Sequence, residues 1–433
     1  MTVIASPRGT QDILPASWPL WRHVLDRAAE TAESSGYERI EIPTFEQTAL
    51  FMHATGEHTD VAREMYTFED RGGERLSLRP EGTASVFRAY FQHGMRVQPQ
   101  PVKLYYMGPM FRYERPQAGR FREHHQFGCE AIGSEDALLD SSLIRLQRDF
   151  YRSCHLRPFT IQINSIGDTE CRPAFLRTLV EYLRKHAGEL CADCRQRIER
   201  NPLRVLDCKV ESCQPILDAA PRAVNALCDG CRNHWNRLRE GLEVLGIDAA
   251  LNPRLVRGLD YYTRTVWEFV PEVGGSAQST IGGGGRYDAL AQAIGGSPTP
   301  GVGFSTGLER VLLNISDDFA AQLGRSAVDI FVAHLGLEAE VEALRLTGEL
   351  LCAGCRVDMA FGNRSLKSQM KQADGRGARL VVVIGDNELA LRSATIRDLR
   401  TGEQQTVVFE NVTETATALL GGQRTSPASN DAP

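Results

Sequence analysis

Between residues 102 and 133 the chain faces a conflict that few folds can resolve. The segments "KLYYMGPM" and "HQFGCEAIG" alternate apolar side chains and are bounded by Gly and Pro, the pattern of buried β-strands. Yet "FRYERPQAGRFREHHQFGCEAIG", residues 111–133, crowds four arginines, three glutamates and two histidines around a glycine. Charges of that density are not buried unpaired. They must leave one strand, return in the next and line a cleft between them.

The rest of the chain supplies the walls. Residues 18–35 read as an amphipathic helix, with Trp21, Val24, Leu25, Ala28, Ala29 and Ala32 on one face and Gly36 at its end. "ERIEIP" alternates as a strand stopped by Pro43, "ASVFRAYFQHG" after "RPEGT" is helical, and "FTIQINS" is a further strand. Residues 167–250 are mostly helical and hold seven of the eleven cysteines, after which strands resume in "LVRGLDYYTRTVWEFV", "STIGGGGRYD" and "GVGFSTGLERVLLNI". The organisation expected is therefore a sheet domain in two parts, 1–166 and 251–320, interrupted by a helical insertion at 167–250. A polar linker, "SDDFAAQLGRSA", leads to a small α/β domain at 328–421, where "VDIFVAHLG", "CRVDMAF" and "ARLVVVIGD" alternate with helices. The tail, 422–433, has nothing to bury and is expected to be disordered. The fold class is α+β.

Composition narrows the function classes. No run approaches the ~18 apolar residues of a membrane span, and the start carries no secretory pattern. A cytoplasmic location follows as the expectation, with the cysteines reduced or bound to metal rather than paired. A net charge of −6 argues against wholesale nucleic-acid binding but leaves room for a local basic face.

"GVGFSTG" is not G-x-G-x-x-G, and no G-x-x-x-x-G-K-[ST] occurs, so neither a dinucleotide fingerprint nor a P-loop is present. The run "IGGGGRYD" suits either a flexible turn or a close approach of backbone to ligand. Arg112, Arg257 and Arg310 each sit beside apolar or Gly-rich sequence. They are either ordinary surface charges or forks for phosphate and carboxylate oxygens. Glu81, Glu114 and Glu130 are candidates for meeting an amine, a metal ion or an imidazole.

Taken together these segments resemble a family. "FRYERPQAGRFREHHQFGCEAIG" resembles the second signature of class II aminoacyl-tRNA synthetases, "GVGFSTGLERVLL" the third, and "GYERIEIPTFE" the first, which lies at their dimer interface. "GTQDILP", "LRPEGTASVFRAY", "LVRGLDYYTRTVWEF", "GGGGRYDAL" and "LKSQMKQADGRGARLVVVIGDNEL" resemble blocks of the histidyl-tRNA synthetase family, over residues 8–421.

The resemblance implies a class II antiparallel sheet flanked by helices, a homodimer without membrane association, and three substrates: L-histidine, ATP and histidine tRNA. It implies that Arg112 and Arg257 are catalytic, and that ATP is bound by Arg112, Glu114, Arg120, Arg257 and Arg310, with magnesium on its phosphates. Histidine would be held by Glu81, Gly82, Thr83, Gln126, Glu130, Tyr261 and Tyr262, and the loop at Gln117 would face the tRNA acceptor end. The C-terminal domain would bind the anticodon. Its residues 356–400 hold nine Lys or Arg against five Asp or Glu, and Arg364, Lys367 and Lys371 fall at helical spacing on one face. One departure is that "NELALRSATIRDL" lacks the glycine usual in the family's turn there.

An alternative is the catalytically silent relative that serves as a regulatory subunit of ATP phosphoribosyltransferase. That relative is expected to lose the arginine of "RGLDYY" and the anticodon domain, and both are present here. In the insertion, "CADC" at 191–194 and "CDGC" at 228–231 are paired C-x-x-C units, the spacing of a four-thiolate structural zinc. Cys191, Cys194, Cys228 and Cys231 are the expected ligands, with Cys208 and Cys213 as substitutes.

Overall fold

The computed structural model describes residues 4–56, 59–115, 119–258, 261–272, 280–323, 328–362 and 364–421. Gln117 and the tail 422–433 lie outside them. The described residues fall into two compact units, one of Leu20–Ala321 with the stretch through Leu14, and one from Gln322 onward with Pro15–Pro19.

The first unit is built on a mixed eight-stranded sheet. Its strands are β1 (Glu38–Arg39), β5 (Val102–Phe111), β6 (Glu123–Ile132), β7 (Phe159–Ser165), β8 (Ala250–Leu251), β9 (Thr263–Pro271), β10 (Gly282–Arg286) and β11 (Gly301–Gly307). Their order is β1-β5-β6-β11-β10-β9-β7-β8. The six central strands pair antiparallel, while the two-residue edge strands β1 and β8 pair parallel to their neighbours. A small antiparallel sheet of β2 (Phe45–Gln47), β3 (Thr67–Glu69) and β4 (Arg75–Leu78) stands beside it. Buried Arg79 joins the two, donating from Nε to Pro109 O at 2.8 Å and from Nη1 to Ile42 O at 2.5 Å. The strand expected over "ERIEIP" shrinks to β1. Beyond Arg39 only the Ile40 amide still bonds the neighbouring strand, and Arg79 takes up the carbonyls of Ile42 and Pro43.

Two cores, one on each face, follow from the period of two along the strands. Tyr105 and Phe127 face the helices Trp18–Ser34, Ala137–Ser153 and Asp229–Val244, among Val24, Phe150, Trp235 and Leu238. Tyr106 faces the opposite core, with Phe87, Tyr262 and Tyr287. The first helix ends where expected, with Gly36 at φ 77°. The helix at 137 starts where Asp136 accepts the Leu138 amide at 2.9 Å.

The glycine run is neither a turn nor a loop. Gly282–Arg286 is a central strand, and a Cβ on Gly283 or Gly284 would strike the carbonyls of Trp267 or Gly303. Glycine is what lets three strands close at that point. Helix Asp229–Val244, inside the stretch read as the insertion, packs on Ala137–Ser153, with Ser141 Oγ donating to Leu238 O at 3.1 Å. The polar linker is partly helical, Asp317–Gln322, and Phe319 stacks on His155 with ring centroids 3.9 Å apart.

The second unit is a five-stranded sheet in the order β13-β12-β14-β15-β16, made of β12 (Ile330–His334), β13 (Val357–Met359), β14 (Leu380–Ile384), β15 (Ser393–Asp398) and β16 (Gln404–Val408). β12, β13 and β14 are parallel, and β12 and β14 are apolar on both faces, as helix crossovers require. The turn that lacks the family's glycine places Arg392 at φ 49°. A left-handed non-glycine residue costs ~1–2 kcal/mol, partly offset by the ~0.5–1 kcal/mol entropy cost of glycine. Arg392→Gly is therefore expected to stabilise the second unit by about 0.5–1 kcal/mol, read as a higher urea midpoint for its unfolding. A lowered midpoint would show that the exposed Arg392–Glu410 pair outweighs the backbone strain.

Candidate functional site

Because alternate residues of a strand share a face, β6 presents His124, Gln126 and Glu130 to the side away from the long helices. Two glycines of β11 lie opposite them in register, Gly307 beside Gln126 and Gly303 beside Glu130. A Cβ on Gly303 would occupy the position of the Glu130 carboxylate. The sheet is thinned at the point where an acid must be accommodated.

On this face opens a cleft of about 780 Å³. The charged segment borders it, as its place between two strands requires. Arg112, Glu114, Arg120, Arg257 and Arg310 all line it, with His124, Gln126, Glu268 and Thr280. Arg112 is held by Pro80 O at 2.8 Å and Arg310 by Thr280 O at 2.7 Å, so their guanidinium groups are placed before any ligand arrives. Arg257 donates to Glu268 Oε1 at 2.5 Å and lies over the Tyr262 ring, 5.8 Å from its centroid. Burial lowers the Arg310 pKa, and Arg120, Arg112 and Arg257 lower it further, with only Glu114 opposing. Burial, Arg112 and Arg310 likewise push His124 down to about 3, so its imidazole is neutral. The cleft holds cations that repel one another and are relieved by an anion.

Behind the cleft lies an inner chamber of acids and phenols. Glu130 is fully buried and accepts from Thr83 Oγ1 at 2.8 Å and from the Tyr287 hydroxyl. Burial pushes its carboxyl well above the ordinary value of 4.5; the Thr83 hydroxyl opposes the shift and Glu81 adds to it. Glu81 accepts the amides of Thr83 at 2.7 Å and Ala84 at 3.0 Å at the start of helix Thr83–Gln92, and burial still raises its pKa. A side chain on Gly82 would strike the Tyr106 ring, which explains the glycine. Tyr261 and Tyr262 pack on Tyr287, at ring centroid distances of 5.5 and 6.1 Å. Gln126 Oε1 and Arg257 Nε are buried without a hydrogen-bond partner among the described residues. Buried polar atoms left unpaired are expensive, and both stand where the cleft meets the chamber.

Other expected residues fall differently. Lys367 and Lys371 are exposed one turn apart on helix Leu366–Gly375, but Arg364 precedes that helix, which Ser365 caps. The two C-x-x-C units do not meet. Cys191 and Cys194 gather with Cys208 and Cys213, whereas Cys228 and Cys231 gather with Asp168 and Cys171. The reason is packing: Cys194, Cys208 and Cys213 belong to the core under the insertion, and Cys171 and Cys231 to the core under the long helices. Cys191, Cys194, Cys228 and Cys231 therefore cannot serve as one tetrahedral set.

Several site residues escaped the sequence reading. Tyr287 follows the glycine run, and Glu268 stands at alternate spacing in "TVWEF"; both carried a signal. Arg197, Arg204 and Lys209 of the insertion also line the cleft, and no local pattern marks them.

The chain is similar to known proteins over most of its length. The family model described as histidyl-tRNA synthetase matches residues 9–311, and that of the anticodon binding domain matches 329–419. A histidine–tRNA ligase of Dehalococcoides mccartyi is 47% identical over 408 residues, covering 94% of this chain and 97% of the relative. That of Pelotomaculum thermopropionicum is 44% identical over 421 residues, covering 97% and 99%. The crystal structure of apo S. aureus histidyl-tRNA synthetase superposes with a TM-score of 0.79 at 35% identity, covering 95% of this chain and 99% of the other.

The buried acid makes a testable statement about stability. Glu130 has a raised pKa in the folded state, so its contribution is fully present below its ordinary pKa and is lost as pH rises toward the folded value. Glu130→Gln, which keeps an acceptor for Thr83, should raise the Tm of the ligand-free protein relative to wild type. The gap should widen from pH 5 upward by roughly 2 °C per pH unit. A gap that does not change with pH would mean that Glu130 is not the titrating burden.

Proposed function

The chain belongs to the histidyl-tRNA synthetase family and ligates histidine to tRNA at the expense of ATP, and from this premise we propose how its residues divide the work. The observation that carries the assignment is the adjacency of a cleft lined by six arginines to a buried acid chamber. One suits a triphosphate and the other an amino acid with a basic ring.

In the first step an oxygen of the histidine carboxylate attacks the α-phosphorus of ATP. A new P–O bond forms, the bond to the β-phosphate oxygen breaks, and pyrophosphate leaves. The carboxylate is ionised at neutral pH, with a pKa near ~3.5, so no general base is needed. What is needed is charge neutralisation and alignment. Arg112 and Arg257 clamp the α-phosphate from two sides, Arg310 and Arg120 hold the far phosphates, and Glu114 orients Arg120 across 3.6 Å. Magnesium accompanies ATP. Glu114 and Glu268 are carboxylates of the cleft suited to a hard cation, which when bound neutralises phosphate charge. In the second step the terminal ribose hydroxyl of the tRNA attacks the adenylate carbonyl and AMP leaves. Gln117, which lies outside the described residues, is assigned to that end by its place in the motif alone.

Glu130 and Tyr262 select the imidazole. Glu130 accepts a ring N–H, and the ring's charge offsets the cost of the buried carboxylate. Glu81, Thr83 and Gln126 hold the α-amino group, with the unpaired Gln126 Oε1 available to it. Gly82 and Tyr261 shape the wall. Lys367, Lys371 and Arg364 form the anticodon contact of the second unit.

The domain arrangement proposed is a catalytic unit interrupted by an insertion over 167–228, with helix Asp229–Val244 returned to the catalytic layer. A structural zinc within the insertion is assigned to Cys191, Cys194, Cys208 and Cys213. A homodimer is proposed from the exposed Phe45 and Phe68, whose rings lie 6.3 Å apart beside the first motif. A cytoplasmic location is proposed because all eleven cysteines are free.

ATP–pyrophosphate exchange screened over the twenty amino acids should respond to histidine alone. Arg257→Ala should lower the exchange rate ~10²–10³-fold while leaving tRNA affinity close to wild type. An unchanged rate would make Arg257 structural. Removing residues from 326 onward should spare much of the exchange and weaken tRNA charging, and equal loss of both would refute the division.

A further inference from the structure

We propose that the protein carries a second zinc site, made by Asp168, Cys171, Cys228 and Cys231 at the neck of the insertion. There one ion pins the chain leaving the sheet to the chain returning to it. The inference rests on the geometry of this cluster and is independent of the catalytic assignment.

The four ligand atoms lie within 4.8 Å of one another. Asp168 Oδ1 is 3.7 Å from Cys171 Sγ and 4.0 Å from Cys228 Sγ. Ligands at about 2.0–2.3 Å around a tetrahedral zinc stand roughly 3.5–3.8 Å apart, so both distances come within about half an ångström of the edges of a metal site. A disulfide, by contrast, requires sulfurs at ~2.05 Å.

The sequence builds the cluster from two short units. Cys171 immediately precedes helix Arg172–Lys185, with Asp168 three residues before it. Cys228 immediately precedes helix Asp229–Val244, with Cys231 in its first turn. Each unit places two donors on one side of a helix start, and the two starts converge. Cys171 and Cys231 are buried, as a closed structural site requires.

Arg264 supplies the supporting contact that oriented metal ligands usually have. Its Nη2 and Nε reach Asp168 Oδ2 at 3.3 and 3.4 Å, leaving Oδ1 toward the sulfurs. Three thiolates and a carboxylate around a divalent ion leave net negative charge, and Arg264 neutralises part of it. Asp168 Oδ1 also accepts the Glu170 amide at 3.0 Å, so the carboxylate is held even without metal. Reduced thiols packed around a capping aspartate would be the plainer state, and it is what the experiment must exclude.

The position gives the site a purpose. It closes a loop from Asp168 to Cys231 whose far part lines the ATP cleft through Arg197, Arg204 and Lys209. Next to the neck, Arg172 donates to Tyr262 O at 2.5 Å, which couples it to the amino-acid chamber. The ion would add a fixed point at the neck to the contacts that Arg254 makes with Leu206 O, Cys208 O and Asp218 of the insertion.

Zinc is to be counted by mass spectrometry on full-length protein purified without added metal. Two ions per chain are expected. One should be lost in Cys171→Ser/Cys231→Ser and the other in Cys194→Ser/Cys213→Ser. X-ray absorption of the wild type, which does not depend on variants folding, should average about three and a half sulfurs and half an oxygen per zinc. Asp168→Cys should retain two ions and give an all-sulfur shell. A single ion with four sulfurs, retained in Cys171→Ser/Cys231→Ser, would overturn the second site and leave the catalytic reading and the other cluster standing. Mapping Cys171, Cys228 or Cys231 to a disulfide would overturn it as well.

Discussion

The first unit is organised around a charge that has no access to water. Arg286, at the end of the glycine strand, is fully buried and pairs with fully buried Asp140 at 2.5 Å. His234 meets the other oxygen of Asp140 at 2.8 Å, and Arg286 also donates to Ser134 O and Asp288. Burial pushes the Asp140 carboxyl up, but Arg286 and His234 together hold it below its ordinary value. Leaving one such charge without its partner costs ~3–5 kcal/mol. The strand, the helix Ala137–Ser153 and the helix Asp229–Val244 are thus held in one relative position. The next residue, Tyr287, points the other way and holds Glu130. Strand alternation makes the two residues a single device, one tying the sheet to its helices and the other setting the pocket acid.

The two faces of the sheet carry opposite electrostatic regimes. On the helix side the charges satisfy one another. On the cleft side Arg112, Arg120, Arg257 and Arg310 are fixed by carbonyls and a few carboxylates yet still repel, and Glu130 is an acid with no cation. Such incomplete pairing costs stability, and ligands restore it when they bind.

Sequence reading succeeded where a pattern was local. The helix over 18–34, the strands flanking the charged loop, the helix after "RPEGT" and the βα alternation of the second unit were all legible from periodicity and punctuation. The arginines and acids of the site were legible only as an ordered set of motifs, because a lone Arg or Glu looks like surface. It failed where partners are distant in the chain. "IGGGGRYD" suits a turn or a close approach of backbone to ligand by composition, whereas the carbonyls of Trp267 and Gly303 make glycine the residue a central strand needs there. The paired C-x-x-C units read as one site, whereas Cys191 and Cys194 gather with Cys208 and Cys213, and Cys228 and Cys231 with Asp168 and Cys171.

By itself, then, the sequence determined the elements, their order and the family, because these depend on spacing along the chain. The tertiary structure alone decided which groups share an enclosure. It sent Arg286 to Asp140 and Tyr287 to Glu130, brought Arg197, Arg204 and Lys209 of the insertion to the cleft, and divided the cysteines between two clusters. Those choices follow from burial. A charge or a thiol withdrawn from water must take whatever partner the packing of distant segments provides, and nothing in its neighbouring residues records which partner that is.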